Sequence, residues 1–370
     1  MKTLALNRSQ HFKVPTAILG ASLSSDSKLL AAACMDGIYL ADLSTGTHEQ
    51  IGRHSSYVSS VAFLPCQSTV VSGGYDGMLQ WIHVAEKQML RQVRLHEFWS
   101  WDMKLSPDGS LAASATGQYL AGGYKYEPQA EKEPSIRIVN TESGEIVQSL
   151  SHTPSVQSVA FSPDGEFVAA GNLMGEVRVW SCRTGEQKCE FKTPDFTSWG
   201  IIKSHCYLGG IFALHFTPDG KQLLLAGMGP MKDPMAGNGR QLWQKWSWCD
   251  SEPVMVDETH AGESGEGLME TLAIHPTGEY FVMAGRLRGG DWNAALFDLK
   301  SGHKLTSLKT GYRITQALFT SDGSQLVLAG TQGQPGKMES GVFPNFGRVE
   351  VYDVTAEEKT SGEQKEAGSE

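Results

Sequence analysis

The sequence predicts an all-β fold of seven four-stranded antiparallel blades closed into one ring. Three observations predict it: a repeat along the whole chain, a tight turn inside each copy, and a spare strand-like segment near the N-terminus. The repeat joins two short apolar segments through a Pro/Asp/Gly turn. Its clearest copies are 103–115 (MKLSPDGSLAASA), 159–171 (VAFSPDGEFVAAG), 214–227 (LHFTPDGKQLLLAG), 272–285 (LAIHPTGEYFVMAG) and 317–330 (ALFTSDGSQLVLAG). Weaker copies at 21–33 and 61–74 bring the set to seven, the second with Cys66-Gln67 in place of Asp-Gly. Glycine supplies positive φ in such a turn and aspartate caps its own backbone, so each copy is a hairpin. A third and a fourth strand follow, as in VRVWSCRTGEQKCEF (177–191) and AALFDLKSGHKLTSL (294–308). One four-stranded sheet cannot bury both its faces, so the blades stack radially into a β-propeller.

The seventh unit supplies only three strands, ending at 348–354 (RVEVYDV). The leading segment 4–14 (LALNRSQHFKV) is therefore expected to serve as the closing outer strand of the last blade. Residues 1–355 are expected to form a single propeller domain. The polar tail 356–370 lacks the apolar surface needed to offset its ordering entropy and is expected to be disordered.

The second unit carries a recognisable set at fixed spacing: His54 before the first strand, Ser72 ending the second, Asp76 in the turn GGYDG, and Trp81 in the third strand. In these residues the chain resembles the WD-repeat family, over about residues 12–355. The resemblance implies a structural tetrad in which the imidazole bridges Asp76 and Ser72 while the Trp81 N–H finds a buried partner. Only the second unit has all four. The fourth keeps His152 and Trp180 but has Met174 in the turn, and the first, sixth and seventh end in ADL, FDL and YDV.

The family resemblance also places loops between strands two and three, and between consecutive blades, on one face that serves for binding. Insertions fall in those loops: 117–134, 227–240, 285–293 and 330–347, with a long inter-blade connection at 193–210. Turns on the opposite face stay short. Long loops on one face point to a partner, and Tyr124, Trp199, Trp292 and Phe343 in them are the residue types that dominate interface cores. At the start of the third blade, Trp99 and Trp101 alternate, so that one is expected to face the channel mouth and the other a blade interface. Aligning the first strands places Leu19, Ser59, Trp101, Gln157, Phe212, Glu270 and Thr315 at equivalent positions near the mouth. Of these, Trp101, Phe212 and Glu270 are the expected contacts; simple channel lining is the competing reading.

Enzymatic signatures are missing. GTQGQPGKM (330–338) has the wrong spacing and no Ser/Thr for a P-loop, no GxSxG elbow occurs, and the eleven histidines show no helix-borne metal spacing. No cofactor and no metal site is expected. A net charge of −10 counts against tracking of nucleic-acid phosphates, although Arg240, Arg286, Arg288 and Lys337 with Trp292 offer a local basic patch. The six cysteines form no CxxC pair, and neither a signal-peptide apolar run nor a stretch of about 18 apolar residues is present, so the chain is expected to be cytoplasmic and not membrane-bound. The expected function is a non-catalytic scaffold or adaptor for a partner protein or peptide, alone or as a subunit of a larger complex. The alternative is a propeller enzyme or small-molecule- or metal-binding protein whose acids, such as Asp102 and Glu270, converge at the channel mouth.

Overall fold

The structure is a computed structural model that describes residues 3–66, 68–118, 130–193, 195–196, 199–200, 207–208, 210–233, 238–249, 252–287, 290–333, 340 and 343–356. The tail 357–370 lies outside them, as do Tyr124, Arg288 and Lys337. Among the described residues no helix is long and apolar enough to cross a membrane.

Seven four-stranded antiparallel sheets follow one another along the chain. The first blade comprises Ile18–Leu23, Leu29–Cys34, Gly37–Asp42 and His48–Gly52. Five more repeat that order, and their innermost first strands touch around the ring until the seventh meets the first. In the last blade Leu4–Val14 pairs antiparallel with Phe346–Ala356, from Leu4 opposite Ala356 to Val14 opposite Gly347. The chain's first strand thus completes its last blade as the outer strand and ties the two ends of the ring together. Val14 and Leu4 are both buried, Val14 at the junction of blades seven and one and Leu4 at that of six and seven.

The core is divided in the same way. Seven apolar clusters occupy the seven junctions between neighbouring blades, so each sheet face is buried by the next sheet. The hairpin turns follow the sequence pattern: Ser106 and Ser162 donate to Asp108 and Asp164, Thr217 and Thr320 to Asp219 and Asp322, at 2.5–2.7 Å. Those hydroxyl bonds hold the four carboxyls below their ordinary range.

One irregularity recurs in every blade. The ladder between first and second strands slips by one residue at Leu19, Ser59, Trp101, Gln157, Phe212, Glu270 and Thr315. Each is the extra residue of a β-bulge, which leaves the ladder and re-aims its side chain. Opposite the slip the second strands of blades five, six and seven carry Ala-Gly, at 226–227, 284–285 and 329–330. A Cβ at Gly285 or Gly330 would collide with the carbonyls of Leu268 and Arg313, which accounts for the glycine in that repeated pair.

Candidate functional site at the channel mouth

The seven bulged residues all line one cavity of about 300 Å³ at the ring's centre. Sequence alignment therefore located the mouth, because the bulge keeps one position per blade aimed at the axis. Tyr75, Asp102, Lys104, His215 and Arg313 line it as well. Burial pushes the His215 imidazole down to about 4, so it is neutral near pH 7.

The mouth has two chemically distinct sides. On the side of blades two and three, Tyr75 stacks on Trp99 (centroids 5.0 Å apart, 9° between planes) and on Trp101 (5.7 Å, 13°). Phe98 stacks on Trp99 at 5.1 Å, Tyr57 lies 5.8 Å from Tyr75, and Phe343 meets Tyr57 edge-on at 6.3 Å. Trp99 and Tyr57 remain 40% and 37% exposed, so the cluster has apolar surface left to cover. Trp101 lines the channel, as one of the pair was expected to, but the placement of the other in a blade interface is corrected: Trp99 is 40% exposed and its ring lies 6.5 Å from Trp101 in one stack. The bulge at Trp101 re-aims its side chain, and Tyr75, reaching over from the turn of blade two, stacks on both rings.

On the side of blades six and seven, Arg313 Nε donates to both oxygens of Glu270 at 2.8 Å, and Arg286 Nε lies 3.5 Å from the same carboxylate. Burial works against the Arg313 charge, but Glu270 holds its pKa above the ordinary arginine value. Asp102, the other acid considered for catalysis, is engaged too. Its Oδ1 accepts from Lys104 Nζ at 2.7 Å and its Oδ2 from the Val159 N–H at 3.1 Å.

The other expected contacts divide. Phe212 lines the cavity and Phe343 joins the aromatic cluster. Trp292 is a correction: it is 4% exposed and packs 6.0 Å from Phe297 in the core between blades five and six, because its apolar ring reaches that core and is covered there instead of by a partner. It therefore cannot complete a basic patch with Arg240, whose guanidinium donates to the Thr259 carbonyl. The Trp199 side chain and Tyr124 lie outside the described residues. Sequence reasoning missed Tyr57, Tyr75 and Phe98, which sit in short connections rather than insertions. The aromatic pair Phe98-Trp99 beside Trp101 was the available signal.

In blade two, His54 Nδ1 contacts Asp76 Oδ1 and His54 Nε2 contacts Ser72 Oγ, each at 2.9 Å. Burial opposes the Asp76 charge, yet the His54 bond and the backbone N–H groups of Met78 and Ser55 bring its carboxyl down to about 2. Trp81 departs from the family expectation. Its buried indole N–H has no hydrogen-bond partner among the described residues, and the Arg91 guanidinium lies over its ring at 5.5 Å. The third blade holds a related arrangement that the sequence did not reveal: His96 Nε2 contacts Ser114 Oγ at 3.1 Å while Glu133 lies 3.8 Å from His96 Nδ1. Its acid follows the 117–134 insertion instead of occupying the turn, so the spacing concealed it.

Comparison with known proteins agrees with this geometry. Residues 47–81 and 144–181 match the family described as WD domain, G-beta repeat. The WD repeat-containing protein SL1-17 of Schistosoma mansoni is 25% identical over 171 residues, covering 45% of this chain and 52% of that protein. Subunit I of the Bombyx mori eukaryotic translation initiation factor 3 is 27% identical over 176 residues, 46% of this chain and 48% of that protein. WD repeat-containing protein 1 of Gallus gallus is 37% identical over 75 residues, 20% of this chain and 11% of that protein. The matches thus span about half or less of these relatives. With seven four-stranded blades and the His54–Asp76–Ser72 chain in place, the protein is a WD-repeat β-propeller.

Proposed function

We propose that this chain is a non-catalytic interaction scaffold that docks a partner protein or peptide over the channel mouth on its loop-bearing face. The observation that carries the reading is the stack of Trp99, Tyr75 and Trp101, rigidly held from two blades yet open to solvent at Trp99 and Tyr57. Aromatic side chains held in one geometry lose little entropy on binding, and such anchors provide most of an interface's energy. A relative named as a translation initiation factor subunit is consistent with a place in a larger complex. The catalytic alternative is less well supported, since Glu270 and Asp102 are each paired with a cation at the mouth.

The test is retention of proteins from the native source by wild type beside the Trp99→Ala/Trp101→Ala variant, with both shown to be folded by circular dichroism. A retained protein is then purified and titrated directly. Loss of two anchor rings should weaken binding by about 30-fold or more. Equal affinity for both proteins would refute docking at the mouth, and a small molecule co-purifying in the cavity would put the alternative reading first.

A further inference from the structure

The loop that leaves blade five and the last turn of blade six meet beside the outer strands Val254–Glu258 and Lys304–Leu308, and none of the residues that meet there lines the channel. There His260 Nδ1 lies 3.1 Å from His303 Nδ1, and His303 Nδ1 lies 3.3 Å from Glu263 Oε1. A ligand atom from each of the three falls within 4.8 Å of the others, and all three residues are half-buried. The second nitrogen of His260, Nε2, contacts Asp257 Oδ1 at 3.0 Å. A carboxylate can only accept, so His260 carries a proton on Nε2, and the neutral ring then turns the lone pair of Nδ1 toward His303.

Three electron-pair donors therefore converge on one point: His260 Nδ1, Glu263 Oε1 and, when unprotonated, His303 Nδ1. Either a single proton on His303 is shared between two acceptors, or a cation occupies the point. Two of the three separations, 3.1 and 3.3 Å, suit the cation. Four-coordinate zinc holds nitrogen and oxygen ligands at about 2.0–2.1 Å, which sets donors about 3.3 Å apart along a tetrahedral edge. The rest of the arrangement is also that of a metal centre, for Asp257 fixes the tautomer and orientation of His260 as an outer carboxylate does for a ligating histidine. Glu263 is anchored in turn, its Oε2 accepting the Lys304 N–H at 2.9 Å.

We propose that His260, Glu263 and His303 form a binding site for a divalent transition metal of the zinc class, oriented by Asp257, with a fourth position open to water. Histidine nitrogens with one carboxylate select borderline cations such as zinc over calcium or magnesium, which take oxygen ligands. The site joins the exit of blade five to the strand-three-to-strand-four turn of blade six, so the ion acts as a clasp across that junction.

The probe is zinc itself, titrated calorimetrically into full-length protein stripped with a chelator, with cobalt as a spectroscopic substitute. One zinc per chain is expected. His260→Ala and His303→Ala should each weaken binding at least 100-fold, and Asp257→Asn, which keeps the side-chain shape, about 10–100-fold. His11→Ala, an exposed histidine elsewhere, should leave affinity unchanged. Cobalt should give tetrahedral visible bands without thiolate charge transfer. The proposal is overturned if wild type shows no saturable one-to-one binding, if a folded His303→Ala variant binds as tightly as wild type, or if the cobalt spectrum shows cysteine ligation.

Discussion

Asp76→Asn tests whether the His54–Asp76–Ser72 chain stabilises the propeller through charge or only through shape. Asp76 Oδ1 faces His54 and the Met78 N–H, while Oδ2 accepts from the N–H and hydroxyl of Ser55. An asparagine is the same size but must turn its NH₂ toward one of those backbone donors, which then loses its acceptor. The carboxyl is lowered from 3.8 to about 2, and at 1.36 kcal/mol per unit this corresponds to about 2 kcal/mol. The folded-state pKa is the depressed one, so this stability is fully present above pH about 4 and fades as pH falls toward about 2. Denaturant unfolding followed by tryptophan fluorescence should find the variant about 2 kcal/mol less stable at pH 7, with the gap closing through that window. A gap that stays constant from pH 7 to 2.5 would show that ionisation of Asp76 contributes nothing, and the electrostatic reasoning would fail.

Two further outcomes follow from the ring closure and the mouth. Leu4→Ala removes a side chain 4% exposed at the junction of blades six and seven and should cost about 3 kcal/mol; an unchanged melting temperature would mean that the latch is dispensable. Glu270→Ala takes away a carboxylate, itself 7% exposed, shared by Arg313 and Arg286; their side chains are 38% and 36% exposed and can turn to water when it is gone, so the stability loss should be about 1–2 kcal/mol. A loss above about 3 kcal/mol would show that the pair behaves as a buried one.

The fold was legible because its information is local and repeated. Each hairpin carries its own turn, and a count of strands left 4–14 as the spare that the last blade lacked. The mouth was legible for a related reason: the bulge falls at the same offset in every first strand, so counting along the copies finds Leu19 through Thr315 without coordinates. Contacts between loops of different blades have no such register. Tyr75 reaches Trp99 from another blade, Glu133 replaces a turn acid after an insertion, and His260 meets His303 across 43 residues. Trp292 failed in the opposite sense, since an aromatic in a long loop covers either a partner or the protein's own core, and here the core took it.

The seven copies also serve as an alignment internal to the chain, and they separate what the ring requires from what it leaves free. Two residues beyond each bulge stand Ala21, Val61, Met103, Val159, Leu214, Leu272 and Ala317, every one apolar and at most 8% exposed. At the bulge itself stand Leu, Ser, Trp, Gln, Phe, Glu and Thr. Seven buried positions share one chemistry because each packs in an apolar cluster against a neighbouring sheet, whereas the bulged residue lies outside those clusters and lines the channel, some, such as Ser59 and Thr315, also bonding to the next blade's backbone. Mouth chemistry can therefore change without disturbing the inter-blade clusters. In this chain it is divided, with stacked rings over blades two and three and the Glu270–Arg313–Arg286 group over blades six and seven. A partner spanning the channel would have to present apolar surface to one rim and polar or charged groups to the other, and that asymmetry would fix the direction in which it lies.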